Sequence, residues 1–159
     1  MVIRQAHQED IPKIVPVWRE LMEFHAQRDA FYEPCDGAEG SFTAYVSENI
    51  ESDNALVLVA ELDGRCVGYC QCRIETYPPV FHIKQYGQIS DICVLGEHRR
   101  TGVGEQLVGR AMEWFRTKRM TRIEVRRLKC NEISSKFWPK QGFIPYLETL
   151  YQPLDFRTK

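Results

Sequence analysis

The chain has 159 residues, 43% hydrophobic and 27% charged, with a formal net charge of −1. That length suits one domain with a real core, and so balanced a charge argues against a general nucleic-acid binder, whose phosphate contacts demand a cationic excess. The first residues, Met1-Val2-Ile3-Arg4-Gln5, lack a signal peptide's apolar run, and no stretch approaches the ~20 apolar residues of a membrane span. A soluble, cytoplasmic protein without a membrane role is expected.

In chain order, residues 2–5 read as a short strand. From Glu9 or Asp10, apolar residues from Ile11 to Met22 recur at threes and fours, as in a helix that tolerates Pro12 in its first turn and is kinked by Pro16. Residues 28–37 form a loop of mixed aromatic and charged residues, and Phe42, Tyr45, Val46 and Ile50 mark a second helix. Ala55 to Ala60 is the continuous apolar run of a strand covered on both faces. Asp63-Gly64 signals a hairpin, so Arg65 to Glu75 should return antiparallel before Tyr77-Pro78-Pro79 ends it.

A strand from about Gln85 to Leu95 follows, then a basic turn and an amphipathic helix on Val103, Leu107, Ala111 and Phe115. Gly109 inside that helix suggests close packing on the sheet. Ile123–Leu128 reads as a strand, Ile133–Gln141 as a helix and Phe143–Leu150 as a last strand. The order β-α-α-β-β-β-α-β-α-β predicts an α/β mixed sheet, single-domain over 1–159.

Six cysteines contain no Cys-x-x-Cys pair and read as small buried hydrophobes. Cys66, Cys70 and Cys72 share parity and thus one strand face, but no histidine has matching spacing, so no metal site is expected.

The turn between residues 95 and 105 has the strongest chemical character. Gly102 and Gly104 let backbone approach a ligand where a helix begins, and the unpaired N–H groups there favour an anion. A dinucleotide fingerprint would need a third glycine, and a P-loop would need Gly-Lys-Ser/Thr where Glu105 follows Gly104. Instead, Arg99-Arg100-Thr101-Gly102-Val103-Gly104 matches Arg/Gln-x-x-Gly-x-Gly/Ala. Further on, Asn131-Glu132-Ile133-Ser134-Ser135-Lys136-Phe137-Trp138-Pro139-Lys140-Gln141-Gly142-Phe143 looks like Asn-x-x-Ala-x-x-Phe-Tyr-x-x-x-Gly-Phe. Together the two segments resemble the GNAT N-acetyltransferase superfamily.

That resemblance implies a central, mostly antiparallel sheet with a splayed parallel pair, and acetyl-CoA as co-substrate. Cys93 and Val94 would present backbone to the pantetheine arm. The turn of Arg99, Arg100, Thr101, Gly102, Val103 and Gly104 would wrap the pyrophosphate, Asn131 would reach the cofactor's pantetheine side, and Ser134 and Trp138 would also bind the cofactor. The acceptor would be a primary amine of a small molecule or peptide, attacked directly in a ternary complex, and family habit leaves a homodimer open. The alternative is a non-catalytic acyl-CoA-binding or regulatory module.

An ammonium with a pKa near ~10.4 must lose a proton before it attacks. Asp91 is the first candidate base, since an acid between Ile89 and Cys93 is unexpected in a buried strand, and Glu124 on the next strand is the second. The Val94 N–H is the implied donor to the carbonyl oxygen. Where the family's tyrosine protonates the thiolate this chain has Trp138, whose indole is no useful acid; Tyr146 or Tyr86 could substitute. His25, Arg28, Phe31, Tyr32, Glu75, Tyr77, His82 and Tyr86 are candidates for an acceptor site.

Overall fold

A computed structural model describes residues 1–152. Five strands, β1 (Val2–Gln5), β2 (Ala55–Leu62), β3 (Arg65–Thr76), β4 (Gln85–Val94) and β5 (Ile123–Val125), lie in the order β1-β2-β3-β4-β5. The first three pairings are antiparallel and β4–β5 is parallel, which gives the expected mixed sheet with its one parallel pair. Asp63 and Gly64 both have positive φ, at 50° and 77°, the mirror-image turn whose twist matches a two-residue hairpin.

Helices α1 (Ile11–Ala26) and α2 (Ala38–Glu51) precede β2, α3 (Val103–Thr117) follows β4, and α4 (Glu132–Lys140) follows β5. One core cluster joins Ile14, Trp18, Phe42 and Val46 of α1 and α2 to Val57, Val59, Tyr69 and Cys93 of the sheet. The other joins Leu107, Ala111 and Phe115 of α3 and Trp138 of α4 to Leu58, Cys70, Cys72 and Ile89. The sheet is therefore a middle layer buried on both faces. Leu107 is fully buried, and truncating such a leucine to alanine costs about 2–5 kcal/mol.

Pro16 lies within α1 on its exposed side, where the carbonyl it leaves unpaired can meet water. Several expectations are corrected. Gly109 is exposed with open space around it, so it mediates no close packing. That role falls to Gly87, where a Cβ would stand 2.4 Å from the Phe115 ring. Cys70 and Cys72 share a face but Cys66 packs with the opposite cluster, because a register shift between Ala60 and Glu61 breaks the alternation.

The last strand does not form among the described residues. Phe143 packs on Trp138 at 5.0 Å between ring centroids, after which Ile144, Tyr146, Leu147 and Leu150 are exposed without a ladder. β5 is also shorter than expected, three residues instead of six.

Candidate active site

Parallel strands put the C-terminal ends of β4 and β5 at one edge of the sheet, and each strand there leads into a helix. The two strands pair only over Gly87–Ile89 and Ile123–Val125, so the β5-facing edge of β4 is open from Ser90 to Val94. A bulge marks the same place: Asp91 stands opposite Gln71 and Ile89 opposite Cys72, leaving Ser90 as the surplus residue. A bulge bends its strand and increases the local twist, which turns β4 away from β5.

The bulge also resets which groups point where. Ile89, Ile92 and Val94 pack toward α3, whereas Cys93 packs toward α1 and α2, the face that Tyr69 and Gln71 share with Asp91. The Leu95 N–H reaches Val67 O across β3 at 3.0 Å. By the alternation of an antiparallel ladder, Val94 then directs its N–H into the gap, and Cys93 directs its backbone groups at β3. The gap-facing backbone belongs to Ile92 and Val94, not to Cys93 and Val94 as the sequence suggested.

The turn into α3 is built on two left-handed residues, Arg100 (φ 62°) and Gly102 (φ 87°). Gly102 is the N-cap and supplies no side-chain cap, so the first-turn N–H groups of Val103, Gly104 and Glu105 face outward as a cradle for an anion. Thr101 Oγ1 bonds the His98 carbonyl at 2.6 Å and tightens the turn. Arg99 is already engaged. It donates to Val94 O at 2.8 Å and to Glu20 of α1 at 2.6 Å, while the Gly96 N–H donates to the same Glu20 oxygen. Arg99 thus fastens the end of β4 to α1, and the exposed Arg100 is the cation left on the outer side of the turn.

Asn131 caps α4, accepting the Ser134 N–H at 3.0 Å, and Ser134 Oγ donates back to the Asn131 carbonyl. The first turn of α3 stands against the middle of α4: a Cβ on Gly104 would lie 3.3 Å from the Phe137 ring. Trp138 is only 4% exposed and belongs to the core, between Phe137 and Phe143. Tyr146 is exposed with Arg122 stacked over its ring, and Tyr86 stacks on Tyr77 at 4.3 Å.

The two carboxylates proposed as bases have opposite surroundings. Asp91 faces Tyr69 Oη at 3.4 Å and Gln71 Nε2 at 3.3 Å, both neutral. Burial raises its pKa above the usual carboxylate value, and these two bonds oppose the rise only in part. Glu124 accepts from Tyr77 and, at 2.7 Å, from Arg122. Burial pushes Glu124 upward too, but Tyr77, Arg122 and Arg126 outweigh it and hold the carboxyl below its usual value.

The acetyltransferase (GNAT) family model matches residues 17–143. The chain belongs to that family. With it comes the enzyme class, an acetyl-CoA-dependent N-acetyltransferase. An uncharacterized N-acetyltransferase of Archaeoglobus fulgidus is 30% identical over 114 residues, 72% of this chain and 73% of the relative. The fold is that of the BH1408 protein from Bacillus halodurans (TM-score 0.86, 19% identity, 97% and 100% of the two chains, in a tetramutant). The aminoglycoside N-acetyltransferase AAC(6')-Iy in complex with CoA shares it (TM-score 0.75, 19% identity, 97% and 99% covered).

Among the described residues, no group of three or more histidine, cysteine or acidic side chains is placed to hold a metal, and no helix is long and apolar enough to cross a membrane. Sequence reasoning quoted Phe137 only as a motif residue and missed Ile92, Glu20 and the amides Asn49 and Gln71. Of the missed residues only the amides carried a signal: each is a polar residue at a position whose spacing is that of the core.

Proposed function

We propose that the protein transfers the acetyl group of acetyl-CoA to a primary amine of a small molecule or peptide by direct attack in a ternary complex. The observation that carries this is the Asp91 carboxylate, which meets only neutral donors and stands three residues before an N–H that points into the open edge of β4. A carboxylate with a raised pKa accepts a proton from an ammonium more readily than an ordinary one.

In this scheme the pantetheine arm lies along Ile92 and Val94, and the first turn of α3 holds the pyrophosphate. Asp91, directly or through water, takes a proton from the ammonium, and the amine nitrogen attacks the thioester carbon. The Val94 N–H donates to the oxygen that becomes negative. Collapse breaks the C–S bond and releases CoA thiolate, while the second nitrogen proton leaves for solvent or for that thiolate. Trp138, closed in the core, takes no part in protonating the leaving group.

The acceptor lies on the α1 and α2 face of the splayed strands, beside Glu75, Tyr77 and Tyr86. The AAC(6')-Iy neighbour has also been solved with the bisubstrate analogue CoA-S-monomethyl-acetylneamine, which supports an amine acceptor and leaves its identity open. CoA release measured against a panel of small-molecule and peptide amines tests the proposal. Turnover with at least one amine is expected. Tight acetyl-CoA binding without turnover across the panel would favour a non-catalytic acyl-CoA-binding module.

A further inference from the structure

Asn49 and Gln71 are among the few polar residues closed inside the protein, at 2% and 0% exposure. Asn49 falls on the α2 face that carries Phe42 and Val46, so it holds a core position, and Gln71 stands opposite Asp91 in the β3–β4 ladder. A buried amide without partners is costly, and here each amide has two. Arg73 Nη1 donates to Asn49 Oδ1 at 3.2 Å, Asn49 Nδ2 to Gln71 Oε1 at 2.9 Å, and Gln71 Nε2 to Asp91 Oδ2 at 3.3 Å.

The order of these bonds is forced from one end. An amide's oxygen and nitrogen have nearly the same shape, so neighbours decide which way it lies. A guanidinium has donors only, so the Asn49 atom facing Arg73 must be its oxygen. Asn49 then offers N–H to Gln71, whose facing atom must be its oxygen, and Gln71 offers N–H to Asp91. Were Gln71 reversed, its carbonyl would face the carboxylate and an acceptor would meet an acceptor. Arg73 is itself steadied by Glu75, at 3.3 Å, and lies over the Tyr45 ring at 5.6 Å, at the partly exposed outer end of the line.

We infer that Arg73, Asn49 and Gln71 are positioning residues that act as one polarised relay, keeping an N–H donor on the carboxylate of Asp91 from a cation three side chains away. The relay rests on the role proposed for Asp91 as base, and it explains why two amides occupy core positions. An N–H aimed at Oδ2 favours the ionised carboxylate that can accept a proton, and it holds that oxygen in one orientation.

Tyr69 Oη donates to the same Oδ2, but it carries no charge, and among the described residues no other ionisable group places a cation against Asp91. Tyr69 on β3 and Cys93 on β4 are held neutral by burial, with Cys93 pushed up to about 12, and Cys70 on β3 by its contact with Cys72 and then by burial. Glu20 of α1 and Arg99 face Cys93 and each other, and Glu124 of β5 is taken by Arg122. The side chains contributed by β2, Val57 and Val59, are apolar.

The test is a carbon-13 NMR titration of carboxyl-labelled aspartates, with the Asp91 signal assigned by its loss in Asp91→Asn. In Arg73→Met the midpoint of that signal should move upward by about one pH unit, a tenfold change in the ionisation equilibrium. Gln71→Leu should move it at least as far, and Arg73→Lys, which keeps a donor, should stay near the wild-type midpoint. A wild-type midpoint in Arg73→Met overturns the relay. So does an equal shift in Arg73→Lys and Arg73→Met, which would mean that bulk and not donation matters.

The pH dependence of kcat/KM at saturating acetyl-CoA separates this from the proposed chemistry. If the relay acts on the base, the acidic limb follows the NMR midpoint in each variant and is absent in Asp91→Asn. A shifted midpoint with an unmoved limb leaves the relay standing and removes Asp91 as the base.

Discussion

Asp10 is closed inside the fold and Asp91 is partly buried, and only Asp10 faces a cation. Asp10, 2% exposed, accepts from two nitrogens of Arg4 at 2.6 and 2.8 Å and from the His7 N–H. The Arg4 bonds come first in holding its carboxyl down at about 2, against burial. Arg4 reaches Glu61 of β2 as well, so this pair ties β1, β2 and the start of α1 together. Asp91 has two long bonds from neutral groups and a pKa driven upward. A buried charge with its counter-charge fixes architecture, whereas one without it stands where chemistry can use it.

The strongest way to break this contrast is to remove each carboxylate's charge. Asp91→Asn should lower turnover about 100-fold or more while acetyl-CoA affinity, measured by calorimetry, stays within about twofold. A loss under about tenfold would hand proton removal to water or to Glu124.

Asp10→Asn should leave chemistry alone and lower stability at pH 7 by about 2 kcal/mol in urea melts, following the gap between the unfolded 3.8 and the folded value of about 2. Because the folded pKa is the lower one, that stability is fully present above about pH 4 and disappears as pH falls through about 2. The sign reverses at Asp91, whose folded pKa is the higher one: the ionised form is penalised above it, and the penalty lifts as pH falls. Asp91→Asn should therefore be no less stable than wild type at pH 7, and any gain should shrink in acid.

Glu124 sharpens the comparison from between the two. It is partly exposed and matched by Arg122, so Glu124→Gln should cost under about tenfold in turnover and about 0–1 kcal/mol in stability. A larger kinetic loss would assign the base to β5. The smallest effect belongs to a site with no charge at all: Gly109→Ala should raise stability by about 0.5–1 kcal/mol, since the position is helical, open and free of contacts.

Much of this was readable from the sequence because the signals are local. The Asp63-Gly64 hairpin, the heptad-like face of α3 and the glycine turn each depend on residues within a few positions of one another. What stayed hidden depends on pairing across the sheet. Strict alternation puts Ile89, Asp91 and Cys93 on one face, and the bulge that separates Ile89 from the other two leaves no mark in composition. Arg99 and Glu20 meet across 79 positions, so nothing nearby announced that the first arginine of the turn was occupied. Phe143 to Leu150 has the residues of a strand, and apolar content alone did not say whether a partner strand would be there.

The surplus residue in β4 bears on how such a slot arises in a sheet. Without Ser90, Ile89 and Asp91 would be consecutive and still face opposite sides, so both core clusters would keep their members. Its buried hydroxyl has no hydrogen-bond partner among the described residues. Deleting Ser90 should reduce the local twist of β4 and narrow the gap beside it, which calorimetry would read as lost acetyl-CoA affinity. By that reckoning, the insertion of a single amino acid is enough to open one edge of an otherwise continuous sheet.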